Sequence, residues 1–118
     1  MENLINMEKV VKIIKDEIKA RGLKVVKIIL FGSRAKGNPK EDSDWDFFVV
    51  VNENINFKQK REILTSIYRK IVEQGIVGVD IVITSLEKFK ETKKYAGTLS
   101  YEVDNEGIIM LENKYLWE

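Results

Sequence analysis

Apolar and polar residues alternate along this chain in two patterns, one typical of helices and one typical of strands. The helical pattern comes first. Near the N-terminus, apolar side chains recur every three or four positions, at Met7, Val10, Val11, Ile14 and Ile18. The same spacing returns between about 57 and 74, at Leu64, Ile67, Tyr68 and Ile71. Such spacing predicts amphipathic helices. Gly22 follows the first segment and Gly75 the second, which is where glycine commonly ends a helix.

Short runs rich in β-branched and aromatic residues predict strands. They are KVVKIILF at 24–31, WDFFVVV at 45–51 and VGVDIVIT at 77–84. A weaker pattern beyond Ser85 predicts one or two helices between 86 and 104 and a last short strand at 107–111. The order of elements indicates a mixed α/β (α+β) layer. The connection at 33–43 is too short for a full crossover helix, which favours an antiparallel pairing of the first two strands.

Composition narrows the chemistry that this chain can perform. Its 118 residues predict one domain. It has no cysteine and no histidine, which excludes disulfides, thiolate zinc sites and imidazole-based catalysis. Carboxylates, hydroxyls, amines and a hard metal such as Mg²⁺ remain.

Charge and hydropathy bear on location and partners. The net charge of +1 gives no overall field toward nucleic acid or membrane, so we expect neither as a direct partner. The N-terminus shows no signal-peptide pattern, and no apolar run approaches membrane-spanning length. We therefore expect a cytoplasmic protein.

The stretch GSRAKGNPKEDSDWDFF at 32–48 carries the first candidate site. If the two flanking strands are antiparallel neighbours, Gly32 and Ser33 lie beside Asp44 and Asp46. Side chains alternate along a strand, so both carboxylates should point to one face and Trp45 to the other, into the core. Two close carboxylates repel each other, and protonation, a basic partner or a divalent cation must compensate.

A third acid, Asp80, interrupts the apolar run of the third strand. We expect it to be buried, where an unpaired carboxylate would cost several kcal/mol, on the order of the effective desolvation penalty. A metal ion would offset that cost and bring Asp44, Asp46 and Asp80 together. The alternative is an ion pair with a lysine across an edge strand.

The glycine-serine pair suggests how an anion could be held. Gly32 permits close approach of a ligand to the backbone, and Ser33 offers a short hydroxyl. If residues 33 to 36 form a helical turn, its first amides provide an anion site. Phosphates on one side and three carboxylates on the other are typical of metal-assisted phosphoryl or nucleotidyl transfer. Each feature taken singly is more often structural, but their joint occurrence at strand ends favours an active site.

The motif resembles a known signature. Gly32-Ser33, ten intervening residues and then Asp44-x-Asp46 resemble the signature of the DNA polymerase β-like nucleotidyltransferase superfamily. The longer run FGSRAKG…SDWDFFVV is similar to its minimal nucleotidyltransferase (MNT) branch, whose members are often paired with HEPN-domain ribonuclease toxins. The resemblance extends to the leading helix, Asp80 and the closing EGIIMLE. It implies a nucleotidyltransferase fold over 1–118, a small mixed sheet with an antiparallel motif hairpin and helices packed on it.

The same resemblance implies roles for the candidate residues. Gly32 and Ser33 would hold a nucleotide triphosphate. Asp44 and Asp46 would bind two Mg²⁺ ions. Asp80 would bind the catalytic ion and help to activate the acceptor hydroxyl.

Two basic residues of the loop are further candidates for contact with the nucleotide. Arg34 is positioned to neutralise the triphosphate, and we predict that it binds nucleotide. Lys36 stands where the family often has arginine, and a solvated loop charge is an equal alternative.

The resemblance also implies a function. Some MNT proteins are antitoxins that move AMP from ATP onto a tyrosine of the partner toxin and silence its RNase activity. That is the leading hypothesis here, with ATP as substrate and a HEPN-type toxin as partner. Alternatives are a non-catalytic module that neutralises its partner by occlusion, or transfer to a small-molecule or nucleic-acid acceptor. From its length we expect the chain to lack the extra acceptor-binding domain that larger relatives carry, which disfavours the last alternative. The segment Tyr115–Trp117 is either a partner surface or packs back onto the domain.

Overall fold

The computed structural model describes residues 2–39 and 43–116, and its elements follow the predicted order. They are α1 (Glu2–Ala20), β1 (Val25–Phe31), α2 (Ser33–Lys36), β2 (Trp45–Val51), α3 (Phe57–Glu73), β3 (Val79–Ser85), α4 (Leu86–Thr92), α5 (Leu99–Glu106), β4 (Ile108–Glu112) and a 3₁₀ turn (Lys114–Leu116). Every predicted strand and helix is confirmed. The third strand begins at Val79, two residues later than predicted, and residues 40–42 of the predicted loop lie outside the described part.

The four strands form one mixed sheet in the order β3-β2-β1-β4. β1 pairs antiparallel with both β2 and β4, which confirms the predicted motif hairpin. β2 and β3 are parallel, and α3 connects them because parallel neighbours need a crossover of this length. β3 and β4 are therefore the edge strands of the described sheet.

Both faces of the sheet are covered by helices. The larger core lies between the sheet and α1 and α3, where Phe47, Val49 and Val51 meet the buried stripes of the two helices. On the other face, Phe48 and Val50 pack with residues of α4 and α5. A stretch of strand that is buried on both faces needs apolar residues at successive positions, which explains the run Phe47–Val51 in β2.

Local signals fix the ends of the two long helices. After α1, the N–H of Leu23 donates to the carbonyl of Ile18 and the N–H of Gly22 to that of Lys19, which is a Schellman motif. α3 begins with a capping box in which Asn56 and Gln59 each bond the other's backbone N–H. These ends set where the chain enters β1 and leaves β2.

Within the described ranges, no helix combines the length and apolar character needed to cross a membrane. Tyr115 is 96% exposed, while Trp117 lies outside the described residues.

Candidate active site

The motif hairpin brings Gly32 against Asp46. Phe31, the last residue of β1, pairs with Asp46 near the start of β2, so Gly32 stands beside that aspartate. Gly32 adopts φ 77° and ψ −158°, a conformation that is essentially restricted to glycine. A β-carbon built on Gly32 would overlap the Oδ2 atom of Asp46. The close approach of backbone and carboxylate therefore requires glycine for two independent reasons.

Asp46 and Asp80 are direct partners across the parallel pair β2–β3. Register partners point to the same face of a sheet, so the two carboxylates share one face. Asp46 is half-buried and Asp80 is exposed. The sequence predicted that Asp80 would come close to the two motif acids, and the register of β2 and β3 pairs it with Asp46.

Asp44 lies just ahead of β2 and is exposed. The N–H of Trp45 donates to the carbonyl of Gly78 over 2.7 Å, which joins this segment to the start of β3. Asp44 Oδ1 comes within 3.7 Å of the position that a β-carbon of Gly78 would occupy. The indole of Trp45 packs against the core beneath α1 and α3, as predicted.

The three acids influence one another electrostatically. The pKa of Asp46 is raised above its ordinary value, first by burial and then by the negative charges of Asp80 and Asp44. All three effects oppose the charged form of Asp46. A cation placed among these carboxylates would relieve the repulsion.

The donor set fits a hard divalent metal, although the three acids are not gathered around one point. Among residues 2–39 and 43–116, no three acidic side chains stand close enough to form a ready metal site. Asp44, Asp46 and Asp80 thus occupy neighbouring positions in the fold, but their carboxylates do not form the closed cluster that the sequence predicted. Carboxylate oxygens are the ligands that Mg²⁺ prefers, and exposed side chains such as that of Asp44 change rotamer rapidly. The residues present therefore suit Mg²⁺.

The expectation that Asp80 is buried is wrong. Asp80 is exposed near the beginning of the edge strand β3, before its buried part, so no large desolvation cost applies to its carboxylate. Instead of a lysine, the hydroxyl of Tyr68 meets it, donating to Asp80 Oδ1 over 3.3 Å. The same hydroxyl accepts a hydrogen bond of 2.8 Å from the N–H of Ile81.

Sequence reasoning placed Tyr68 only on the buried face of a helix and missed its contact with the site. Burial raises the pKa of Tyr68 most, and the charge of Asp80 raises it further, so the hydroxyl keeps its proton at neutral pH. No local signal could have identified it, because α3 reaches β3 only through the folded crossover.

The turn after Gly32 is helical, as predicted. The N–H groups of Ala35 and Lys36 both donate to the carbonyl of Gly32 over 3.1 Å, and α2 spans a single turn. The first amides of a helix have no intrahelical acceptor, so the N–H of Ser33 is of the type that binds anions. Binding of a triphosphate by Gly32 and Ser33 stays a prediction.

Arg34 and Lys36 are engaged by the protein. Arg34 donates through Nε and a terminal nitrogen to the carbonyl of Ser43, over 3.2 and 2.9 Å. Its guanidinium also lies 4.6 Å from the centre of the Trp45 ring. Lys36 is not a purely solvated charge, because its amine pairs with Glu102 and Glu106 of α5 at 3.4 and 3.5 Å.

Comparison with known protein families identifies relatives of this chain. The family model described as polymerase beta, nucleotidyltransferase matches residues 8–115. The chain is also similar to a protein of Methanocaldococcus jannaschii named "Putative protein adenylyltransferase MJ0141". The two are 34% identical over 85 residues, which cover 72% of this chain and 78% of the relative.

Comparison with solved structures shows a shared fold. A toxin–antitoxin structure with AMP-PNP superposes with a TM-score of 0.57 at 17% identity, covering 93% of this chain and 79% of that chain. A second match is the complex of a tri-AMPylated Shewanella oneidensis HEPN toxin with its MNT antitoxin. Its TM-score is 0.54 at 19% identity, over 98% of this chain and 76% of that chain.

Proposed function

The chain belongs to the polymerase β nucleotidyltransferase family, and we propose that it transfers AMP from ATP to a tyrosine hydroxyl of a partner HEPN ribonuclease toxin. In this role residues 1–118 act as one minimal nucleotidyltransferase domain, an antitoxin that works in the cytoplasm. The observation that carries the proposal is the junction of Gly32, Asp46 and Asp80, which sets a glycine-serine turn beside two register-paired carboxylates.

The turn is the proposed site of the triphosphate. Gly32 permits the backbone conformation that sets the turn beside Asp46, and Ser33 adds a hydroxyl and an amide at the start of α2. Arg34 is the proposed source of positive charge, and its present contact with the carbonyl of Ser43 keeps it beside this turn. Together these groups would hold the tail of ATP while its α-phosphate faces the acids.

The carboxylates would hold the metal ions. Asp44 and Asp46 would bind both Mg²⁺ ions, and Asp80 would bind one of them. Bound Mg²⁺ supplies stabilisation of the charge that develops on the attacking and leaving oxygens of an in-line displacement. Asp46 is suited to this role because burial and its two acidic neighbours already disfavour its charge without a cation.

The transfer itself is a substitution at the α-phosphorus of ATP. The oxygen of the acceptor tyrosine forms a bond to that phosphorus, and the bond to the oxygen that bridges to the β-phosphate breaks. Pyrophosphate leaves, and Asp80 takes the proton of the acceptor hydroxyl. The exposure of Asp80 at the sheet edge fits an acceptor that arrives from a separate protein.

The test is incubation of the chain with its candidate HEPN partner and Mg-ATP. We expect the partner to gain the mass of AMP on a tyrosine, and Asp44→Asn to abolish the gain. Asp16→Asn, an exposed acid of α1 paired with Lys12, is the matched control and should transfer normally. An unmodified partner after incubation with the wild-type chain counts against the proposal.

A second assay distinguishes catalysis from occlusion. Co-expression with the toxin should restore growth with the wild-type chain and not with Asp44→Asn. Full protection by Asp44→Asn would support a non-catalytic module. Labelling of small-molecule or nucleic-acid acceptors in place of the toxin would identify a different transferase.

A further inference from the structure

One tyrosine of α3 links two neighbouring positions of the exposed sheet edge. The ring of Tyr68 is half-buried and packs against the core under α1 and α3. Its hydroxyl reaches β3, where it accepts from the N–H of Ile81 at 2.8 Å and donates to Asp80 Oδ1 at 3.3 Å. A strand with a neighbour on one side only leaves alternate amides without a ladder partner. The Tyr68 hydroxyl takes the place of that missing acceptor.

The polarity of these two bonds is fixed by chemistry. A backbone N–H can only donate, so the hydroxyl of Tyr68 must accept from Ile81. Its own proton is therefore directed toward the remaining partner, the carboxylate of Asp80. The hydroxyl thus presents a fixed donor to one oxygen of an otherwise exposed acid.

We propose that Tyr68 is a positioning residue that holds the Asp80 carboxylate in the orientation needed at the active site. The proposal rests on the function proposed above. An exposed aspartate samples several rotamers, and each non-productive rotamer removes a ligand from the site. Hydrogen bonds to metal-binding carboxylates orient them, and losing one typically costs about 10–100-fold in affinity or activity.

The geometry favours positioning over a role as acceptor. The ring is anchored in the core, and the hydroxyl is engaged by both Ile81 and Asp80. To attack ATP, the oxygen would have to leave the amide of an edge strand. AMP found on Tyr68 after incubation of the wild-type chain with Mg-ATP alone would overturn the positioning role.

The experiment compares Tyr68→Phe with Tyr95→Phe. Both variants remove a hydroxyl that contacts a carboxylate, because the hydroxyl of Tyr95 lies 3.4 Å from Glu91 on the exposed surface. Phenylalanine keeps the ring of Tyr68 in the core, so we expect both variants to fold. Amide hydrogen exchange at Ile81 should accelerate in Tyr68→Phe and stay unchanged in Tyr95→Phe.

Metal binding provides a readout that does not require transfer. Mn²⁺ is titrated in the presence of a non-hydrolysable ATP analogue, and free Mn²⁺ is followed by electron paramagnetic resonance. We expect Tyr68→Phe to weaken Mn²⁺ binding about tenfold. In an Asp80→Asn background the same change should have no further effect, because the hydroxyl acts through that carboxylate. Equal Mn²⁺ affinity of Tyr68→Phe and wild type would overturn the proposal.

Kinetics then separate positioning from nucleotide binding. In AMP transfer to the toxin, kcat of Tyr68→Phe should fall about tenfold while KM for ATP stays close to wild type, since the triphosphate turn is untouched. A rise in KM with kcat unchanged would contradict the assignment. If the wild-type chain transfers no AMP, the proposed function fails, and the exchange and Mn²⁺ measurements still decide the role of Tyr68.

Discussion

The carboxylate of Asp46 lies against the α-carbon of Gly32, in the space where any other residue would place its β-carbon. The contact joins the end of β1 to the start of β2, which are antiparallel neighbours. It sets the proposed triphosphate turn directly beside the proposed metal ligands. The spacing of the motif along the chain therefore has a geometric meaning, because the connection at 33–43 has to return the chain to this point.

Substitution of Gly32 tests that contact. Gly32→Ala meets both a glycine-only backbone conformation and the Asp46 carboxylate, and should lower the free energy of unfolding by about 3 kcal/mol and abolish transfer. Gly37→Ala is the matched control, because Gly37 has the same φ of 77° with nothing within 4 Å of a new β-carbon. Gly37→Ala should cost about 1 kcal/mol of the free energy of unfolding and retain transfer. Thermal unfolding and AMP incorporation measure both; equal losses in the two variants would contradict the role of the contact.

Asp46→Asn should separate activity from stability. The amide keeps the shape of the side chain but removes a proposed metal ligand, so transfer should fall by at least about 100-fold, more than the loss typical of an outer-shell partner. The folded state should not suffer, because the neighbouring acids and burial already oppose the charge of Asp46. Incorporation of radiolabelled AMP measures the transfer rate, and chemical denaturation measures the free energy of unfolding. A variant with wild-type transfer would exclude Asp46 from the metal site.

The pH dependence of stability follows from the raised pKa of Asp46. Between its ordinary pKa of 3.8 and the raised value, the folded chain holds more protons on Asp46 than the unfolded chain does. The free energy of unfolding therefore falls as pH rises through this window. Above the window, the stability lost through the charge on Asp46 stays constant. In metal-free buffer, Asp46→Asn should be more stable than wild type at neutral pH, and the difference should vanish below about pH 4. Melting temperatures of both proteins across this pH range measure the effect. A variant less stable than wild type at neutral pH would show that the fold stabilises the anionic form of Asp46.

Replacement of Arg34 tests its proposed contact with nucleotide. Arg34→Ala should raise KM for ATP about tenfold, equivalent to about 1.4 kcal/mol of lost binding. Arg61→Ala is the control, because Arg61 also stacks on an aromatic ring, that of Phe57, but on α3. Steady-state kinetics with varied ATP measure the effect. A fall in kcat with KM unchanged would contradict a contact between Arg34 and the nucleotide. The role of Arg34 would then be its hydrogen bond to the carbonyl of Ser43, just ahead of Asp44.

Much of the fold was readable from the sequence because its signals are local. The helical spacing of Met7, Val10 and Ile14 predicted α1, and the β-branched runs predicted the strands to within two residues. The antiparallel hairpin followed from a connection too short for a crossover. These inferences depend on interactions over a few residues, which sequence patterns record directly.

The environment of Asp80 shows where such inference stops. Its apolar neighbours suggested a buried carboxylate, yet β3 is an edge strand and the side chain is exposed. The ion pairs of Lys36 with α5 were likewise absent from any local pattern. Both outcomes depend on which elements pack against each position, and no local pattern contains that information.

The sequence by itself determined the elements of this protein and the placement of Gly32, Ser33, Asp44 and Asp46 at adjacent strand ends, since period and turn chemistry act over short distances. Only the tertiary structure decided that Asp80 stands opposite Asp46 in register, and that a hydroxyl from α3 meets it at the sheet edge. The physical reason is that register and strand order come from burying both faces of the sheet at once, and no single segment contains that information.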